Sequence, residues 1–235
     1  MYQFNAIGYI DSPFKEKFGI PRQPGLTQSI RSTLRLQTPY NDIDTVRGLE
    51  TCSHIWIIFV FSATQDKGWH PTVRPPRLGG NQRLGVFATR STFRPNPIGL
   101  SVARLISISQ QDGTLCLELA DSDLLDGTPV LDIKPYLPYA DSLPTAHFSL
   151  GEAPEVLNLP VLFSEQAEQQ CQQAEELDQH PLKAQITEIL QCDPRPAYQK
   201  DPERIYGVRL HHFNIRWRVD SDAIHVIEIN TVTKP

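Results

Sequence analysis

Along the first 140 or so residues, apolar positions recur at every second residue in short runs, separated by polar loops rich in proline and glycine. A period of two marks half-buried strands. It predicts strands over residues 2–10, closed by Ser12-Pro13, over 31–37, closed by Thr38-Pro39, and over 114–120. Residues 53–61 (SHIWIIFVF) are β-branched and aromatic on both faces, which predicts a central strand. Residues 41–50 read as a helical turn capped by Asn41 or Asp42. The stretch over residues 83–101 (RLGVFATRSTFRPNPIGLS) predicts a strand through Leu84, Val86, Phe87 and Ala88, then a rigid turn. Pro95 and Pro97 fix φ in that turn and bias their predecessors away from helix. A returning strand carries Leu100, Val102, Leu105 and Ile106. An acidic turn at 121–129, a short strand at 130–133 and an extended, proline-fixed segment at 134–141 complete this part.

After a linker at 151–160 the period lengthens. Residues 164–177 put Ala167, Cys171, Ala174 and Leu177 on one helical stripe, and 182–190 do the same with Leu182, Ile186 and Ile189. Residues 206–218 and 223–229 predict a closing hairpin with Asp220, Ser221 and Asp222 in its turn. Short strands without βαβ alternation favour an antiparallel barrel or closed sheet over a doubly wound fold. The expected organisation is a mainly β domain over 1–150 and a smaller α+β domain over 151–235.

Composition narrows the function classes. At 235 residues the chain can bury one large core or two smaller ones. Its longest apolar run, residues 55–61, is too short to span a bilayer. No basic-then-apolar leader opens the sequence, so a cytoplasmic protein is expected. Cys52, Cys116, Cys171 and Cys192 are scattered without a CxxC pair or a metal-ligand rhythm, which predicts reduced thiols and no metal. Residues 1–150 carry 14 basic and 13 acidic side chains, whereas 151–235 carry 8 and 14. Within the first part, residues 67–111 hold seven basic side chains and no acidic one. Such segregation in a chain of net charge −5 points to a structured anion rather than non-specific nucleic-acid coating.

The familiar catalytic signatures are missing. Neither GxGxxG after a strand nor GxxxxGK[ST] occurs, which argues against Rossmann and P-loop enzymes. His54 opens an apolar strand and reads as a strand-end histidine before a catalytic one. Asp121, Asp123 and Asp126 could be a solvated turn; their spacing does not fit an EF-hand. Arg90 and Arg94 could form ordinary surface ion pairs, but no acid lies near them in sequence, so an external anion is the better reading. Residues 62–82 form a long irregular segment in which Arg74 and Arg77 flank a Pro-Pro pair, as expected of a functional loop.

Several ordered motifs then carry a resemblance. PRQPG (21–25), VRGLE (46–50), RPPRLGGN (74–81), GVFATRSTFRPNPIGLS (85–101), DLLDGTPVLDIKPYLPYAD (123–141) and DPRPAY (193–198) together resemble the TrmO/YaeB (TsaA-like) family of tRNA N6-threonylcarbamoyladenosine methyltransferases. The resemblance spans both halves of the chain. It implies a single-sheet β-barrel that binds S-adenosyl-L-methionine, acts on tRNA next to the anticodon at position 37, and works as a homodimer. Its cofactor-contacting motifs map onto Gln23, Pro24, Gly25, Ser62, Ala63, Arg90, Leu100, Ala120, Asp121, Ser122 and Asp123. Asp126 and Arg94 are expected at catalytic positions. Arg74, Arg77, Arg94 and Tyr198 are expected to bind the substrate. Two other readings stay open at this stage: a cofactor-binding module without transferase activity, and an RNA-binding barrel that takes no cofactor.

Overall fold

The structure, a computed structural model, describes residues 2–21, 23–75, 82–149, 156–195 and 201–232. Six antiparallel strands make the main sheet: β1 (Gly8–Asp11), β2 (Arg31–Leu36), β3 (His54–Val60), β6 (Ile98–Gln111), β7 (Thr114–Ala120) and β8 (Pro129–Pro135). Their pairing order is β1-β2-β7-β6-β3-β8, and β8 returns to β1 through Gly8 opposite Val130 and Tyr9 opposite Pro129. The sheet therefore closes on itself, each strand pairing with two neighbours over at least part of its length. β6 makes closure possible by its length. Its first half pairs with β3 (Ile98 to Arg104) and its second with β7 (Arg104 to Gln111), with a register shift between Leu105 and Ser107.

Alternation sorts the side chains. Ile55, Ile57 and Phe59 of β3 point inward with Leu34, Leu115, Leu117, Leu119 and Val130, all buried. Each such side chain contributes about 1.5–3 kcal/mol of burial. The other face of β3 (Trp56, Ile58, Val60) is half-buried. There α1 (Pro138–Asp141) folds back, and Trp56 Nε1 donates to Asp141 Oδ2 at 2.8 Å. The proline-fixed tail expected at 134–141 thus ends in a short helical turn.

The second unit is a four-stranded sheet, order β10-β11-β12-β9, built from β9 (Val161–Phe163), β10 (Tyr206–Leu210), β11 (Phe213–Val219) and β12 (Ile224–Thr231). Helices α2 (Glu165–Asp178) and α3 (Leu182–Gln191) pack against it around a core of its own, centred on fully buried Trp217. Ser164 caps α2 by accepting from the Ala167 amide at 3.0 Å. Phe14 and Ile30, from the loop joining β1 to β2, are buried in this second core. Phe14 also bridges to Leu210.

The mainly β, two-part architecture matches the sequence-based expectation, with several local departures. Residues 2–7 are not a strand; β1 starts only at Gly8. Asp42, not Asn41, caps the first of two 3-10 turns by accepting from the Asp44 amide. Leu84 to Ala88 does not join the main sheet. β5 (Leu84–Gly85) pairs only with β4 (Thr72–Val73), and a 3-10 turn over Val86–Ala88 leaves Phe87 76% exposed. Residues 206–218 are two strands, because His211 takes positive φ in a tight turn that lacks the usual glycine or asparagine. Leu177 is 83% exposed, off the stripe that buries Ala167, Cys171 and Ala174. Of the expected linker at 151–160, residues 151–155 lie outside the described residues.

Candidate functional site

Antiparallel pairing brings the end of β3, the start of β6, the end of β7 and the β1–β2 loop to one end of the closed sheet. Each contributes a distinct local device. β3 runs into a 3-10 turn over Ser62–Lys67, which presents Ser62 and Ala63. β7 is broken by Asp121 at φ +63, a left-handed conformation that aspartate tolerates better than most residues. The Asp121 carbonyl then accepts from the Gly25 amide at 3.0 Å, which ties the β1–β2 loop to the turn. Gly25 itself sits at φ +82, where a side chain would be strained.

Two adjoining clefts open here. The smaller, about 250 Å³, is lined by Gln23, Ser62, Ala63, Arg90, Leu100 and Asp123, with Lys17, Phe61 and Thr92. The larger, about 720 Å³, is lined by Pro24, Gly25, Arg90, Arg94, Leu100 and Asp121, with Phe61, Ser101 and Arg104. Phe61, Arg90 and Leu100 form the shared wall, and Leu100 stands 57% exposed on it. Arg90 is aimed by Gln23, whose Oε1 accepts from Arg90 Nη1 at 2.6 Å.

The two carboxylates are held differently. Asp121 Oδ2 pairs with Arg104 Nε at 2.9 Å, while its Oδ1 is buried with no hydrogen-bond partner among the described residues. A buried, unsatisfied carboxylate oxygen costs about 1–3 kcal/mol or more, so a ligand donor at this position would relieve a standing penalty. Asp123 accepts from Ser101 Oγ at 2.6 Å. Burial raises its carboxyl above the ordinary carboxylate range, against the Ser101 bond, its own backbone and the Arg90 charge.

A third cleft, about 970 Å³, adjoins the smaller one and is lined by Lys17, His70, Arg74, Arg83, Arg90 and Phe93 among others, with no acidic side chain among the described residues. The Lys17 ammonium is lowered from its usual range by burial and then by the positive charge of Lys67. This is where the acid-free run of the sequence becomes a surface.

Not every expected site residue faces these clefts. Ala120 is fully buried at the end of β7, and Ser122 is 1% exposed with its hydroxyl bonded to Ser32 Oγ at 2.7 Å. Both support the turn from beneath. Asp126 lines neither of the two clefts: it accepts from the Ser12 amide at 3.0 Å and pairs with Lys15 Nζ at 2.8 Å. Its carboxylate ties the start of the β1–β2 loop to the turn after β7. Arg94 lines the larger cleft while its Nη1 donates to the Thr89 carbonyl at 2.8 Å and the Val86 carbonyl at 3.2 Å. Arg77 and Tyr198 lie outside the described residues. Sequence reasoning missed Lys17, Phe61, Ser101 and Arg104. For Ser101 the signal was available, since it sits on β6 two residues past Gly99, where side chains alternate.

The fold and site define a mainly β protein with a mixed acidic, basic and apolar ligand cleft at one end of an antiparallel sheet, outside the parallel-sheet cofactor folds. Residues 9–142 match the family model for the tRNA-methyltransferase O N-terminal domain, and residues 157–232 match that for the TrmO C-terminal domain. The chain belongs to the tRNA-methyltransferase O family. It is 52% identical over 231 residues, 97% of both chains, to the tRNA (adenine(37)-N6)-methyltransferase of Escherichia coli K12. A protein of Pseudomonas aeruginosa bearing the name of an S-adenosylmethionine-dependent methyltransferase is 46% identical over 230 residues, 97% of each. The crystal structure of TrmO from the latter genus superposes with a TM-score of 0.81 at 40% identity, covering 98% of this chain and 97% of that one.

Proposed function

We propose that this chain is an S-adenosyl-L-methionine-dependent tRNA methyltransferase that methylates N6 of adenosine 37 already bearing a threonylcarbamoyl group. The reaction class and cofactor rest on the family and on its relatives' names. The observation that carries the site is the buried, unpartnered Oδ1 of Asp121, a residue whose main-chain carbonyl holds the Gly25 amide, with exposed Leu100 on the shared wall. These residues fit the cofactor: a carboxylate for a ribose hydroxyl, an apolar edge for adenine, and Asp123 for the positive sulfonium. Gln23, Pro24, Gly25, Ser62, Ala63 and Arg90 complete that binding surface, with Ala120 and Ser122 as its support. The cofactor, when bound, supplies an electrophilic methyl group. Among the chain's own side chains no strong base is needed, because a ureido N–H is more acidic than a plain exocyclic amine. Alignment then supplies most of the rate. Arg74, Arg77, Arg94 and Tyr198 take the modified nucleotide, the arginines meeting its carboxylate and neighbouring phosphates.

The closed sheet serves as the barrel of a catalytic domain over 1–150, followed by a C-terminal domain over 151–235. The active form is a homodimer working on tRNA in the cytoplasm, without metal.

The test is a calorimetric titration with S-adenosyl-L-methionine followed by methylation of tRNA with and without the threonylcarbamoyl group, read by nucleoside mass spectrometry. Losing a charge-assisted contact to the carboxylate costs roughly 1.5–3 kcal/mol, or about tenfold to a hundredfold in rate. Methylation of the modified tRNA with little on the unmodified one is expected. Arg94→Lys should narrow that gap, since a point charge cannot reproduce a planar fork. Cofactor binding without methylation of either tRNA would reduce the protein to a binding module. No cofactor binding would leave an RNA-binding protein.

A further inference from the structure

The β1–β2 loop that carries Gln23, Pro24 and Gly25 is held from the far side by the second unit. Glu188, on α3, is the centre of that contact. Its Oε2 accepts from the Gln28 amide at 2.9 Å, the Ser29 amide at 2.9 Å and the Ser29 hydroxyl at 2.7 Å; its Oε1 lies 3.2 Å from the Ser29 amide. Two consecutive backbone N–H groups and a hydroxyl thus converge on one carboxylate some 160 residues away in sequence. One turn earlier on the same helix, Gln185 Nε2 donates to the Ser29 carbonyl at 3.3 Å. Gln185 is 2% exposed and its other amide atom meets His211 Nε2 at 2.9 Å. Just past the C-terminal end of α3, the Cys192 thiol reaches the Leu26 carbonyl at 3.8 Å. Thr27 is 1% exposed and Ile30 is fully buried in the C-terminal core. The segment from Leu26 to Ile30 is therefore seated in the second unit, whereas Gly25, one residue earlier, is bonded to Asp121 in the first.

We propose that Glu188 is a positioning residue for the methyl-donor cleft: it fixes Gln28 and Ser29, and through them the loop bearing Gln23, Pro24 and Gly25, so the second unit sets the affinity of the first for its cofactor. This rests on the function proposed above. The physical reason is entropic. A loop with proline at positions 21 and 24 and glycine at 19 and 25 is stiff in places and free in others, and its ends decide where the middle sits. Fixing it in the bound geometry before the ligand arrives lowers the ordering cost of binding. Charge-assisted bonds to a carboxylate are the stronger kind, so removing this one should matter more than removing Gln185 or Cys192.

The experiment uses the full chain. In the absence of cofactor, hydrogen exchange at the Gln28 and Ser29 amides is compared between wild type and Glu188→Ala. S-adenosyl-L-methionine affinity and the KM values for cofactor and tRNA are then measured for both, with Glu188→Gln and Ile186→Val alongside. Glu188→Ala should exchange faster at those amides and bind cofactor on the order of tenfold more weakly, with KM for tRNA unchanged. Glu188→Gln, which keeps one carbonyl oxygen of the right reach, should recover part of the loss. Ile186→Val trims the C-terminal core on the same helix without touching the loop, so it should lower stability and leave cofactor KM alone. Unchanged exchange, unchanged affinity, equal shifts in both KM values, or the same cofactor defect in Ile186→Val would each overturn the proposal. A wild-type chain that binds no cofactor would remove the proposed function, and this inference with it; wild-type binding with an equally tight Glu188→Ala would remove the inference alone.

Discussion

Asp123 is subject to two opposing demands. Burial disfavours its charge, and the Ser101 hydroxyl, its backbone and Arg90 favour it, with burial the larger effect. A carboxylate whose folded pKa is raised contributes stability below its unfolded value, near 3.8, and loses it as pH rises through the folded one. At neutral pH the charge is therefore a cost to folding. Asp123→Asn is expected to unfold at equal or higher denaturant than wild type, while binding S-adenosyl-L-methionine roughly tenfold more weakly if the charge meets the sulfonium. Chemical denaturation and calorimetry together read this, and a variant both less stable and equally tight would assign Asp123 a structural role. His211 shows the opposite linkage. Burial, then the neighbouring His180, lower its pKa from 6.5 to about 4, so the unfolded chain binds the extra proton first. Stability should fall as pH drops from about 6.5 toward about 4. His211→Gln keeps a donor for Gln185 and should flatten that part of the acid limb in a calorimetric series; an unaltered limb would place the acid sensitivity elsewhere.

Among the elements, β6 couples fold to site most directly. Gly99 lies opposite Phe59, and a Cβ there would come within 2.2 Å of the ring. Gly99→Ala must displace Phe59, which packs edge-on against Phe61 at 5.0 Å, and Phe61 lines both clefts. Overpacking of this kind costs about 1–3 kcal/mol. We expect that loss in urea denaturation together with weaker cofactor binding; an unchanged midpoint would mean the ring moves freely. The same strand shows what the sequence made legible. β3, β7, α2 and α3 follow from period and composition because one face of each is buried. Leu84 to Ala88 misled because its apolar residues have no sheet partner on either side except the two-residue β4. The 206–218 segment hid its turn because His211 and His212 replace the usual turn residues. The three members of the one acidic turn face different surroundings, Asp121 the larger cleft, Asp123 the smaller and Asp126 neither, and the left-handed Asp121 at its start is not announced by sequence.

At the scale of the whole molecule, the separation into two units was legible from the change of hydrophobic period, but their coupling was not. Phe14 and Ile30 lie between β1 and β2, and only the second core reveals why they are apolar. The homodimer is the remaining large-scale proposal, and the surface offers a place for it. Tyr139 is 86% exposed, Leu143 70%, Phe148 56% and Leu137 42%, on α1 and in the chain flanking it. Tyr136 and Asp141, from this same segment, line the larger cleft. Several large exposed apolar side chains within a dozen residues fit an interaction surface. A partner seated there would cover the patch and reach the cleft at once, which links assembly to activity. Light scattering at micromolar concentration should give twice the 26.6 kDa chain mass. Leu143→Asp, which puts a charge in the middle of the patch, should yield monomer with native sheet signal and a strongly reduced methylation rate, because one wall of the site is then missing. The wild-type dimer should also keep its rate on dilution until the dissociation constant is reached and then lose it with the dimer. A fully active monomer, from either the variant or dilution, would show that each chain completes its own site.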